Sequence, residues 1–297
     1  MQIEVHGLTR RFGDVLALDE VSFTVPAGRR VALVGPNGSG KSTLNRVLMG
    51  LVACSGSVRL DGHSPFRERV AVAHRMAYVP QIAPQLAAPV RDLLRAVAGV
   101  RELRRGGFEA VASHLDLDLA ALGPRPFRSL SGGMRQKLLI TLAFASDASL
   151  LVLDEPTGSL DAQARERFFE LFEAIDGGST LLLCSHRLEE VRPLVDDVLY
   201  LSEGRLAWQG AAAAFLEACG VASFEVWADG DAAAAWLRAR GFRRSAAGPW
   251  LRSVAAAEKM KLHAELTREL GSSLRNLNVR DLENLDLGAM PDGRPRG

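Results

Sequence analysis

Residues Gly35-Pro-Asn-Gly-Ser-Gly-Lys-Ser-Thr43 satisfy the pattern G-x-x-x-x-G-K-[ST] at every fixed position. The apolar run Arg30-Val-Ala-Leu-Val34 comes just before them, and the helix-compatible run Leu44-Asn-Arg-Val-Leu-Met-Gly50 just after. Strand, glycine-rich loop and helix in that order distinguish a phosphate-binding loop from an ordinary βα turn. Glycines let such a loop bend tightly and bring its N–H groups up to an anion, and the following helix turns its positive end toward the same phosphates. Lys41 is placed to reach the β- and γ-phosphates, and the Ser42 hydroxyl to ligate Mg²⁺. Lys41 is one of only four lysines in a chain whose other fixed cations are arginines. A compact ammonium fits inside a wrapped loop where a planar guanidinium does not.

At 297 residues the chain has room for one large domain and a smaller one, and 47% apolar content supplies a sizeable core. A formal net charge of +1 leaves no global field to attract nucleic acid, so none is expected as a partner. Cys54, Cys184 and Cys219 have no paired spacing and read as small buried residues, not a disulfide framework or a zinc site. Met1-Gln-Ile-Glu-Val-His6 alternates like a strand, unlike a signal peptide. The longest apolar stretch, Leu138 to Leu153, is short of a bilayer span and contains Asp147. A cytoplasmic protein is the expectation, with any membrane work requiring a partner chain.

Residues 2–34 alternate apolar and polar, with turns at Arg11–Asp14 and Pro26–Gly28, which predicts three short strands leading into the loop. Phe12, an aromatic within the first turn, reads on its own as a packing residue. Gly56–Gly62 and Arg75–Gln81 read as further strands, the second ending in Gln81 beside Pro80. Residues 85–127 change character: Ala, Leu and Arg at helical spacing predict a separate helical subdomain, about 82–128. In Leu130-Ser-Gly-Gly-Met-Arg-Gln-Lys137, Ser131 is placed to cap a helix, and Gly132 and Gly133 expose backbone N–H groups to an anion. Ser149–Leu153 and Thr180–Cys184 are all-apolar runs of the kind buried on both sheet faces. The first ends in Asp154-Glu155 and the second in Ser185-His186. Two carboxylates at the end of a buried strand are costly unless they bind something, and in open α/β sheets ligands sit at that end. After a closing hairpin at 198–206 the composition shifts, and 219–297 reads as a small α+β appendage ending in a frayed Pro/Gly/Arg-rich tail.

With these three segments in view, the chain resembles the ATPase subunit of an ABC transporter over about residues 2–218. Leu130–Gln136 resembles the family's signature sequence, Gln81 its Q-loop, Ser159-Leu-Asp161 its D-loop and His186 its switch histidine, all in the expected order. The resemblance implies a P-loop α/β fold with a parallel sheet, an N-terminal antiparallel β subdomain and a helical subdomain within an ATPase domain at 1–218. It also implies ATP and Mg²⁺ as cofactors. Gly35, Pro36, Asn37, Gly38, Ser39, Gly40, Lys41, Ser42 and Thr43 would hold the phosphates. Phe12 stands where the family places a Tyr that stacks on adenine. Ser42, Asp154 and Gln81 would organise Mg²⁺; Glu155 would be the general base, with His186 contacting the γ-phosphate.

Two such domains would face each other head to tail as a homodimer. Ser131, Gly132 and Gly133 of one would close on the ATP of the other, with Asp161 linking the sites. The implied partner is a separate transmembrane permease, contacted through the helical subdomain at the cytoplasmic face of the membrane. The single motif set, the length near 300 and the small appendage are similar to exporter-type subunits and also to ATPases that serve metalloenzyme maturation, with an importer as the further alternative. The rival reading is a soluble ABC-type ATPase acting on ribosomes or DNA; against it, each motif occurs once and no long heptad run is present.

Overall fold

The computed structural model describes residues 1–104, 106–175, 178–185, 194–219, 221–245 and 248–282. They form two compact units, Met1–Gly210 and Ala211–Gly297. In the first, strands β1 (Ile3–Phe12), β2 (Val15–Val25) and β4 (Ser55–Leu60) make an antiparallel sheet in the order β2-β1-β4. Its register sets Ile3 opposite Val25 and Leu60, and Val5 opposite Phe23 and Val58. The apolar member of each alternating pair thereby falls on one buried face.

The second sheet has six strands: β3 (Arg30–Val34), β5 (Met76–Val79), β6 (Leu150–Asp154), β7 (Thr180–Cys184), β8 (Asp197–Ser202) and β9 (Arg205–Ala211). Their spatial order is β5-β6-β7-β3-β8-β9, and the pairs from β5 through β8 are parallel. All five residues of β6 and all five of β7 are buried. Each buried Val or Leu contributes about 1.5–3 kcal/mol over an exposed one, which is why these runs carry no polar alternation. Parallel pairing has a second result. The segments that follow β5, β6, β7 and β3 all leave the sheet at one end, so Gln81, Asp154-Glu155, Ser185 and Gly35 are gathered by four adjacent strands although they are scattered in sequence.

Helix α1 (Lys41–Leu48) follows β3, and α2 (Arg69–His74) precedes β5. The helical region contains α3 (Val90–Val100), α4 (Gly107–His114), α5 (Leu119–Leu122) and a 3-10 turn at Phe127–Ser129. Asp118 caps α5, its side chain accepting from Ala120 N and Ala121 N at 3.0 Å each. The core of this region, Val90, Ala112, Leu117, Leu122 and Phe127, continues into Leu130 and Leu138. Helix α6 (Gly132–Phe144) is therefore shared. Its first half closes the helical cluster, and Phe144 at its end meets Phe168 of α7 (Ala162–Ala174) edge-on at 5.8 Å.

In the second unit, α8 (Ala212–Cys219) is followed by β10 (Val221–Ala228), α9 (Asp231–Ala239), β11 (Arg243–Arg244), β12 (Trp250–Ala255), α10 (Ala256–Leu270) and β13 (Leu274–Leu282). The sheet order is β11-β12-β10-β13 with antiparallel neighbours. This βαββαβ course is the split βαβ arrangement of ferredoxin-like folds. Phe224, Val226, Trp250, Leu262 and Leu266 fill its own core. Composition places the boundary after residue 218, but the unit begins at Ala211, because α8 packs on α10. Strands β11 and β13 had no legible signal: one is two residues long, and both are sheet edges.

Candidate active site

The loop between Val34 and Lys41 is shaped from inside the chain. Gly40 enters α1 at φ +105°, and a Cβ there would lie 2.6 Å from the Ala17 carbonyl oxygen. Only glycine meets both conditions. Ser39 is buried; its N–H donates to Pro36 O at 3.2 Å and its carbonyl accepts from Gly204 N at 3.1 Å, which ties the loop to the β8–β9 turn. Lys41 Nζ donates to Gly35 O at 2.6 Å and Pro36 O at 2.9 Å. Burial holds its pKa below the usual lysine value, opposed by Cys184, Glu155 and Asp154. The loop thus curls around its own cation. Ser42 lies exposed at the helix entrance, while Pro36, Asn37 and Gly38 form the open rim.

Asp154 ends β6 with 6% of its surface exposed. The Tyr78 hydroxyl, from β5, donates to its Oδ2 at 3.4 Å. Burial pushes the Asp154 carboxyl above its ordinary value, opposed by hydrogen bonds from Asn45 and Tyr78 and by the charges of Lys41 and Arg46. Next in the chain, Glu155 adopts φ +47°, a left-handed conformation costing a non-glycine residue about 1–3 kcal/mol. Its N–H donates to Cys184 O at 2.9 Å and its carbonyl accepts from Gly158 N at 3.2 Å, so both ends of the strained turn are fixed.

The third segment is the start of α6. Ser131 caps it, Oγ accepting from Met134 N at 3.2 Å, which leaves the hydroxyl proton to donate elsewhere. A Cβ on Gly132 would meet nothing within 4 Å, whereas one on Gly133 would lie 3.2 Å from Ser159 O. Further along, the buried Gln136 donates through Nε2 to Pro156 O at 3.1 Å, joining α6 to the turn that carries Glu155. Asp161 caps α7, accepting from Ala164 N at 2.8 Å. Gln81 is exposed just beyond β5. His186 lies outside the described residues.

Phe12 corrects the reading of it as a packing residue. It is 41% exposed at the β1–β2 turn, with the Arg10 guanidinium 4.4 Å from its ring centroid. A two-residue turn between long strands has no core beneath it, so the ring stays out. Sequence reasoning also missed Asn45, Tyr78, Cys184 and Gln136, which surround the carboxylates. Asn45 was the findable one: it is the single polar residue in the buried set Leu44, Asn45, Val47 and Leu48 of α1.

A lysine-bearing glycine loop at a helix entrance, with two carboxylates at the same end of a parallel strand one removed in the sheet, defines a P-loop nucleoside triphosphatase. Residues 18–158 match the family model described as ABC transporter. The chain is 36% identical over 228 residues to a Nod factor export ATP-binding protein I of Burkholderia lata, covering 72% of each chain. It is 34% identical over 217 residues to a daunorubicin resistance ATP-binding protein of Streptomyces coeruleorubidus, covering 71% of this chain and 68% of the relative. The solved ATP binding subunit of an ABC transporter superposes with a TM-score of 0.66 at 25% identity, over 73% of this chain and 92% of that one. The chain belongs to the ABC transporter family, as an ATP-binding, ATP-hydrolysing subunit. ATPases of this family pair as dimers and work with membrane subunits.

Proposed function

We propose that this subunit is the motor of an exporter, completing its ATP sites only when two copies meet and passing the motion to a separate transmembrane subunit. The relatives named for Nod factor export and daunorubicin resistance support the direction. Among the described residues no helix is long and apolar enough to cross a membrane, and Ile82 (81% exposed) and Val100 of the helical region offer apolar surface to a partner at the membrane's cytoplasmic face.

The observation that carries the paired site is Gly132. Gly132 opens α6, and a methyl group there would meet no other described residue within 4 Å. The space is useful to something arriving from outside, and the amides at this helix start, with the free Ser131 proton, suit a phosphate. Each ATP then lies between the loop at 35–43 of one protomer and Ser131, Gly132 and Gly133 of its mate, with Phe12 beside the base and Asp161 near the joint. Mg²⁺ fits the donors, since the Ser42 hydroxyl, the Asp154 carboxylate and the Gln81 amide oxygen are hard ligands and this ion needs few protein groups beside the phosphates. When bound, it supplies charge neutralisation on the β- and γ-phosphates. Lys41 exchanges its two carbonyl partners for phosphate oxygens. Glu155 accepts a proton from the attacking water.

Complementation tests the pairing. Ser131→Arg and Lys41→Ala homodimers are each expected to be inactive, because every site in them has one ruined half. A mixed dimer holds one intact site and one doubly defective site. Mixing equal amounts of exchanging protomers, with the membrane partner present, is expected to restore ATPase activity well above background, roughly a quarter of the wild-type rate being the figure for sites that turn over independently. Background activity at all ratios, with heterodimers shown to form by mass photometry, would mean that each chain completes its own site.

A further inference from the structure

Asn45 lies on the face of α1 that packs against the sheet and is wholly buried, as are Leu44 and Leu48 beside it. Its Nδ2 donates at 3.1 Å to Sγ of Cys184, the register partner of Asp154, which brings the amide up to that carboxylate. An amide nitrogen carries two protons, so with one on Cys184 the other is available to the carboxylate. Asp154 and Cys184 are register partners on β6 and β7, which sets the two acceptors side by side. Asn45 Oδ1, by contrast, has no hydrogen-bond partner among the described residues. A buried acceptor left unpaired lowers stability. Leucine would continue the apolar stripe, so packing alone does not account for asparagine here.

We propose that Asn45 is a positioning residue for Asp154: braced on Cys184, its amide holds the carboxylate in the orientation that meets the catalytic cation, while the Tyr78 hydroxyl steadies Oδ2. This rests on the reading of Asp154 as a Mg²⁺ ligand. Partners that orient metal ligands are worth on the order of 10- to 100-fold in metal affinity.

The test uses the full chain carrying Glu155→Gln to block turnover, loaded with ATP in chelator and desalted. Mg²⁺ is then titrated in by calorimetry, for this parent and for versions adding Asn45→Leu, Asn45→Ala or Asp154→Ala. Metal-free ATP affinity and thermal unfolding are measured on the same samples. Both Asn45 changes are expected to weaken Mg²⁺ binding by about tenfold. Metal-free ATP affinity should stay within about twofold, and both Asn45 versions should still unfold in one cooperative transition. Alanine cannot clash, so it carries the test if leucine does not fold. Unchanged Mg²⁺ affinity in the Asn45 versions, with a loss in Asp154→Ala, overturns this proposal alone. A silent Asp154→Ala removes the metal-ligand reading and the proposal with it. An equal fall in metal-free ATP affinity marks general disruption of the loop and overturns it as well.

Discussion

Lys41→Ala is expected to abolish ATP hydrolysis and to weaken ATP binding by about 10²-fold or more, read by phosphate release and by equilibrium binding of a fluorescent ATP analogue. Two charge-assisted bonds to phosphate, worth about 1.5–3 kcal/mol each, are lost together. The fold is expected to survive. Lys41 spends its ammonium on Gly35 O and Pro36 O, and the second of these lies at the exposed rim where water replaces it. Gly40, Ser39 and the tie to Gly204 hold the loop without the side chain. Thermal unfolding within a few degrees of wild type is therefore part of the expected result. Turnover near the wild-type rate would remove Lys41 from the phosphate site.

Glu155→Gln separates binding from chemistry. The amide is isosteric with the carboxylate, and the strained turn is held by backbone bonds to Cys184 O and Gly158 N that the change does not touch. ATP binding should persist, while hydrolysis slows by on the order of 10²-fold or more, as for loss of a general base. With turnover blocked, ATP-bound dimers should accumulate, visible as a doubled mass in size-exclusion chromatography with light scattering. Hydrolysis at the normal rate would move the base elsewhere, with His186 the first residue to test.

Much of this site was legible because its motifs are short and local. A phosphate loop is recognised within nine residues, and Ser131 as a cap within four. Runs such as Thr180–Cys184 show double-sided burial by composition alone. The surroundings of Asp154 were not legible, since Asn45, Tyr78 and Cys184 come from three elements that meet only through the strand order β5-β6-β7-β3. No local pattern encodes that order. The exposure of Phe12 was not legible from the turn alone, because an aromatic there reads equally as packing. The shared role of α6 was hidden because its residues serve two neighbours, and a single periodicity describes only one.

The bond from Gln136 to Pro156 has a thermodynamic consequence. It fastens the helix that begins at Ser131 to the turn that presents Glu155. In the paired arrangement proposed above, the first reads the neighbour's γ-phosphate and the second acts on the chain's own. By reciprocity, whatever the binding of one nucleotide does through that fastening to the affinity for the other, the second does to the first by the same factor. The two ATP molecules then cease to be independent ligands, and binding measured with hydrolysis blocked departs from a hyperbola.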